Sequence, residues 1–138
     1  MTPLARRLCL SIGAAVAAAA CVDRLPDQDL RIVSATAVVK MPVEDFAKEY
    51  QTDRAAADRR YFGKAVELSG KVADVHEAAS GSALTFNDRT GAEILEAVLL
   101  DDQAKAIAGG LDDTRRVRLK CYADKFAAHV LVRSCVKP

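Results

Sequence analysis

From Lys64 to the C-terminus apolar residues fall at every second position in a series of short runs, and this period of two constrains the fold more than any other feature. Val66, Leu68 and Val72 alternate with Glu67, Ser69 and Lys71. Gly70 occupies the inward series, where a glycine marks a bulge or a sharp bend. Ser80-Gly81-Ser82 is a turn, and Ala83 to Asn87 is a short strand. Asp88-Arg89-Thr90-Gly91 has Asp first and Gly fourth, the preferences of a type I turn. Ala92 to Leu100 reads as a strand, after which Asp101 or Asp102 can cap a brief helix ending at Gly109-Gly110. Val117, Leu119 and Cys121 alternate with Arg116, Arg118 and Lys120, and the last strand lies within His129 to Val136. The expectation is a mainly β domain of five strands, with one short helix between the third and fourth.

Before Gly63 the period is helical. Val43, Phe46, Ala47 and Tyr50 fall at i, i+3, i+4 and i+7, and Ala57 and Tyr61 continue the stripe. Pro42 suits a first helical position, Glu44 and Asp45 suit the positive end of the helix dipole, and Gly63 ends the element. Residues 21–40 mix charge, Pro26 and a short apolar stretch, and read as a tether with room for an edge strand in Ser34–Val39. The folded domain is expected over residues 41–138.

Residues 1–20 have the layout of a secretory signal peptide. Arg6 and Arg7 supply positive charge without an acid, and Leu8 to Ala20 is uncharged, apolar and mostly alanine. A membrane-spanning helix needs roughly 20 apolar residues, so the run is short for an uncleaved anchor, the alternative reading. Cleavage would leave about 118 of the 138 residues and lower the formal charge from +1 to about −1. So weak a net charge gives no general attraction to nucleic acid or an anionic surface.

Cys9 would leave with the signal, so Cys21, Cys121 and Cys135 remain. Three thiols in an oxidising compartment leave one to be explained. Ala18-Ala19-Ala20-Cys21 resembles the lipobox of bacterial lipoproteins, in which the cysteine carries the lipid and becomes the first residue. Lipidation of Cys21 would leave Cys121 and Cys135 free to pair. Ordinary cleavage after Ala18-x-Ala20 is the competing reading. Val22 in place of Asp implies, by the same resemblance, anchoring to the outer membrane from the periplasmic side, against a soluble periplasmic alternative.

The Cys121–Cys135 bond has geometry against it as well as for it. Facing cysteines on an antiparallel pair lie symmetrically about the turn, which would then fall near Ala128, whereas Asp124-Lys125 is the better turn sequence. Cys135 is also out of phase with Val130, Val132 and Val136, so a bulge is needed to turn it inward. The disulfide is expected nonetheless, because paired thiols are the rule in that compartment.

The strand order with a glycine in the first strand matches the OB-fold, a five-stranded Greek-key barrel. Phe86-Asn87-Asp88-Arg89-Thr90-Gly91 resembles the second hairpin of the anticodon-binding OB domains of aminoacyl-tRNA synthetases. A longer pattern resembles the bacterial tRNA-anti-like OB-fold proteins over residues 41–138. It joins Ala57, Tyr61-Phe62-Gly63-Lys64, Leu68-Ser69-Gly70-Lys71-Val72 and a cysteine in each of the last two strands. The resemblance implies an exported or membrane-attached barrel behind an N-terminal amphipathic helix. It supplies a fold and leaves the function open.

Phe86, Arg116, Arg118 and Lys120 form the candidate binding face. Basic rows interleaved with aromatic platforms bind single strands, but the chain has no Trp and few strand aromatics, so nucleic acid is disfavoured and a solvated face competes with the binding reading. His76 and His129 lack metal-ligand spacing to cysteine or to each other, so no metal or cofactor is expected. Glu67 and Glu96 are expected in solvent. There is no Gly-x-Ser-x-Gly elbow, and two cysteines expected to be bonded supply no nucleophile, so no catalysis is expected. The leading expectation is a lipid-anchored periplasmic module that binds an envelope protein or glycan. Its rivals are a structural subunit of an envelope complex and a single-strand nucleic-acid binder.

Overall fold

The computed structural model describes residues 28–78, 81–124 and 129–138. After a 3-10 turn at Leu30–Val33, the elements are β1 Lys40–Pro42, α1 Val43–Thr52, α2 Arg54–Tyr61, β2 Ala65–Lys71, β3 Asp74–Ala78, β4 Gly81–Asn87, β5 Glu93–Leu99, α3 Asp101–Gly109, β6 Arg116–Ala123 and β7 Val130–Val136. The strands form one seven-stranded sheet in the order β1-β2-β6-β7-β5-β4-β3. β1–β2 and β5–β7 are parallel, and the other pairs are antiparallel.

Seven strands replace the expected five for two reasons. The first expected strand is interrupted after Lys71, giving β2 and β3. The Val72 amide donates to the Arg115 carbonyl at 2.8 Å, and the next amide, Ala73, donates to the Thr85 carbonyl at 2.8 Å. Consecutive peptide groups thus serve opposite ends of the sheet, and the bend lies at Val72–Ala73 instead of Gly70. Gly70 runs straight through β2, paired with Val117. A Cβ there would sit 3.0 Å from Val43 Cγ2 and 3.2 Å from Phe86 Cδ1. Its missing side chain makes room for α1 and does not serve to curve the strand.

The second reason is that residues 28–40, expected as tether, are packed. Ile32 is fully buried with Ala65, Leu100 and Val136 in a cluster apart from the main core. The Asp29 amide donates to Ser134 Oγ at 2.8 Å. The Gln28 side chain donates to the Leu99 carbonyl at 3.1 Å and accepts from the Asp101 amide at 2.7 Å. It therefore caps α3, whose N-cap is Leu100; Asp101 and Asp102 lie in its first turn instead of capping it. β1 then pairs Lys40 with Glu67 and Pro42 with Ser69. The edge strand forms later in sequence than Ser34–Val39.

The N-terminal helix is also broken. Asp53, with extended backbone (φ −155°), ends α1 and caps α2 by accepting from the Ala56 amide at 3.1 Å. Pro42 is the N-cap residue of α1, one place before the first helical position expected for it. Phe46, Tyr50 and Tyr61 gather under the two helices, with Phe46 ring centroids 5.2 Å from Tyr50 and 5.0 Å from Tyr61. With Val66, Leu84, Leu95 and Leu119 from the sheet they make the main core. Tilted rings at such distances add to what burial alone contributes.

Candidate functional site

Cys121 and Cys135 are joined, with Cα atoms 4.2 Å apart. Ala123 pairs with Val132, so β6 and β7 are symmetric about a point near Ala128 and the Asp124-Lys125 register is not used. The phase problem is solved at Ser134, a non-glycine residue at φ 56°, where the β6–β7 register shifts. The extra residue turns Cys135 into the core with Val130 and Val132. It also sends Val136 to the other side, against Ile32. Cys21 lies outside the described residues.

Phe86, the expected aromatic platform, is buried in the core beside Gly70 and offers no surface to a ligand. The position two-residue periodicity assigns to the inside is where it sits; its neighbours Thr85 and Asn87 face the other way. Arg116, Arg118 and Lys120 do share the outer face of β6, as their alternation requires. Arg118 Nη1 lies 3.8 Å from Glu67 Oε2, and Lys40 Nζ lies 4.0 Å from Glu67 Oε1. Glu67 is nearly buried between them and not in solvent. Lys120 is engaged within the chain: its Nζ donates to the Val33 and Ala35 carbonyls at 3.1 and 2.8 Å. Lys71 pairs with Arg116 across β2–β6, extending the basic row on the same face.

A second constellation lies on the outer face of β3, β4 and β5. Asp74 pairs with Thr85, which pairs with Glu96, which pairs with Leu131 on β7, so four strands contribute to one row. His76 Nε2 is 2.9 Å from Glu96 Oε2, and its Nδ1 is 3.3 Å from Thr85 Oγ1 and 4.0 Å from Asp74 Oδ2. His129 Nδ1 is 2.8 Å from Glu93 Oε2, and its Nε2 is 3.8 Å from the other oxygen of Glu96. The two histidines, far apart in sequence, thus flank one carboxylate, Glu96, which the sequence places in solvent. All are partly exposed. Among the described residues no group of three or more His, Cys, Asp or Glu has an arrangement suited to a metal ion.

Chemically the row offers imidazole, hydroxyl and carboxylate groups, a set that recognises hydroxyl, amide or cationic groups through hydrogen bonds. Only the alternation of β5 hinted at Glu96; its approach to both histidines needs β7 beside β5, which no local pattern reveals. At the adjoining turn Asp88 Oδ1 accepts from the Thr90 amide at 2.8 Å and the Ala92 amide at 3.1 Å. Hydrogen bonds from Thr90 and from these amides hold the Asp88 carboxyl below its ordinary range. Gly91 completes the turn at φ 89°, where residues with a side chain are strained.

No curated protein is significantly similar to this chain. Among solved structures, it resembles a protein from Klebsiella pneumoniae subsp. pneumoniae MGH 78578 proposed to be a nucleic acid-binding lipoprotein. The match has a TM-score of 0.55 at 16% identity and covers 78% of this chain and 95% of that one. At that identity the likeness concerns the fold. The tRNA_anti-like family model matches residues 4–136. That span takes in both faces, the disulfide and nearly all of the sequence, and the chain belongs to the tRNA_anti-like family.

Proposed function

We propose that the chain is a non-catalytic, envelope-anchored binding module whose ligand, a protein or a glycan, docks on the His76–Thr85–Glu96–His129 face. The observation that carries the reading is the charge of that face. Glu93, Glu96 and Asp74 surround the two histidines there, while the basic residues of β6 are separated from it by β7. OB barrels present the sheet face centred on their second and third strands to oligomeric ligands. If β2 and β3 are the two halves of one bent strand, the sheet is a five-stranded barrel with β1 added at its rim. β4 and β5 are then those second and third strands. The paired bonds of Val72 and Ala73 support that view.

Anchoring rests on the Ala18-Ala19-Ala20-Cys21 sequence, and the resemblance to a protein proposed to be a lipoprotein supports it. The same resemblance brings nucleic acid forward as the rival ligand. Against it stand an acidic sheet face and the burial of Phe86, since single-strand binders combine cationic grooves with exposed aromatic rings. A photoreactive residue placed at position 76, irradiated in intact cells, tests the assignment. A discrete crosslinked protein or a glycan-modified species is expected, and its yield falls when Glu96→Gln is added. Crosslinking to nucleic acid alone would overturn the reading.

A further inference from the structure

The outer face of β1, β2 and β6 has a layout the ligand-binding proposal does not use. Across the sheet it presents Lys40 and Lys120 beside Glu67, then Arg118 beside Ser69, then Lys71 beside Arg116. Val38, two residues before Lys40, is 59% exposed, and its amide donates to the Ala65 carbonyl at 2.8 Å, so it continues the same face. Beyond it lies the 3-10 turn. Three residues per turn place Leu30 and Val33 on one side while Ile32 points inward. Leu30 is 63% and Val33 57% exposed. Lys120, reaching the Val33 carbonyl, ties the apolar end to the basic row. Three of the four large exposed apolar residues among the described ones therefore lie in this one short segment, where Arg31 is paired with Asp29, beside a row of five cations that holds Glu67 and borders Glu44, Asp45 and Asp88 at its Lys71–Arg116 end.

We infer that this face docks on an anionic phospholipid surface, with Leu30, Val33 and Val38 entering the interface and Lys71, Arg116 and Arg118 over the headgroups. The chain itself points to that occupant. Only six residues lie between Cys21 and Gln28, and the seven Cα steps give a covalent reach of at most about 25 Å. The inference thus rests on the anchoring of Cys21 proposed above for its orientation. An anchor that joins the domain two residues before the 3-10 turn keeps Leu30 and Val33 within reach of the bilayer. Attraction between basic residues and anionic headgroups adds to apolar burial, and two such signals together hold a domain flat. Docking here leaves the β3–β4–β5 face free to bind.

The test uses the full chain, which has no tryptophan of its own. Val33→Trp is reconstituted on vesicles of brominated phosphatidylglycerol or brominated phosphatidylcholine, with Leu30→Trp as a second reporter and Val75→Trp on β3 as the distant control. The expected result is a blue-shifted, quenched emission at position 33 or 30 on phosphatidylglycerol only, and an unquenched emission at position 75 on both. Arg116→Glu with Arg118→Glu should weaken the anionic preference by at least about tenfold. Retention on both vesicles with water-like emission at 33 and 30 would overturn the docking and leave the anchor standing. Loss from phosphatidylcholine with quenching retained on phosphatidylglycerol would support the docking and overturn the anchor. An oligothymidylate that binds the same face and restores water-like emission would make it a nucleic-acid surface and overturn the inference.

Discussion

Replacing Gly70 by alanine puts one methyl group where α1, β2 and β4 meet. The added Cβ would lie 3.0 Å from Val43 Cγ2, 3.2 Å from Val43 Cβ and 3.2 Å from Phe86 Cδ1, inside ordinary carbon contact distances. For the methyl to fit, Val43 or Phe86 must give by a few tenths of an ångström. Val43 is the first residue of α1, Phe86 sits within β4, and both are buried. Forcing an extra methyl into such a site costs about 1–3 kcal/mol. Losing glycine's freedom in the unfolded chain returns about 0.5–1 kcal/mol. Gly70→Ala should therefore destabilise by about 1–2 kcal/mol, and Gly70→Val by more.

For a domain of this size that corresponds to a fall in Tm of roughly 4–8 °C for alanine. Stability alone does not isolate the cause, so the double variant with Val43→Ala is informative. Val43→Ala by itself removes buried methyl groups and costs about 2 kcal/mol. In the Gly70→Ala background it also vacates the space the new methyl needs. The pair should then be less destabilised than the sum of its parts by about 1 kcal/mol. Urea melts of the four proteins measure the difference. Additive effects, or a Gly70→Ala protein as stable as the parent, would refute the crowding argument.

Breaking the Cys121–Cys135 bond as a double serine variant should cost about 3 kcal/mol, because it frees a loop of 14-residue separation in the unfolded chain; equal melting temperatures with and without reductant would contradict this. Gln28→Ala removes the side chain that caps α3 and should cost about 1 kcal/mol, read from the thermal melt. Acid should destabilise the fold only at low pH. The carboxyls of Asp29, held down by Arg31, and of Asp88 and Asp112, held down by Thr90 and Thr114, all lie below their ordinary value of 3.8. A depressed folded pKa contributes stability that is complete above that value and lost as pH falls through the folded one, so Tm should drop below about pH 4 and the drop should shrink in Asp88→Asn. Burial raises the Tyr50 and Tyr61 hydroxyls, so their contribution is complete below pH 10.0 and lost as the pH rises beyond it.

What the sequence made legible were local periods. Alternation in β2 and β6 located two strands and placed Val66, Leu68, Leu119 and Cys121 inside, because a half-buried strand writes its two faces into alternate positions. The helical stripe found Val43, Phe46 and Tyr50 for the same kind of reason. Asp53 broke that stripe by a capping bond whose signal, an Asp after Thr52, is common in exposed helices as well. Phe86 invites use as a platform because it is one of the few aromatics in the strand region, yet its own parity places it inside. The bend was misplaced by one turn of the alternation: glycine permits curvature, but the strand changes partners where Val72 and Ala73 find hydrogen-bond acceptors.

The N-terminal segment and the His–Glu row were illegible for a different reason. Each depends on residues brought together by strand order, which has no local signature. Charge and proline made residues 28–40 look like a tether, and nothing nearby in sequence announces that Ser134 Oγ waits for the Asp29 amide or that Gln28 completes α3. The bulge at Ser134 joins these facts. One inserted residue turns Cys135 inward to the disulfide, turns Val136 to the opposite side of the sheet and leaves Ser134 where it meets Asp29. Val136 then gives Ile32 a partner, and the 3-10 turn is held with Leu30 and Val33 outward. The parity conflict at Cys135, read as an objection to the disulfide, is thus the same feature that seats the N-terminal segment on the domain.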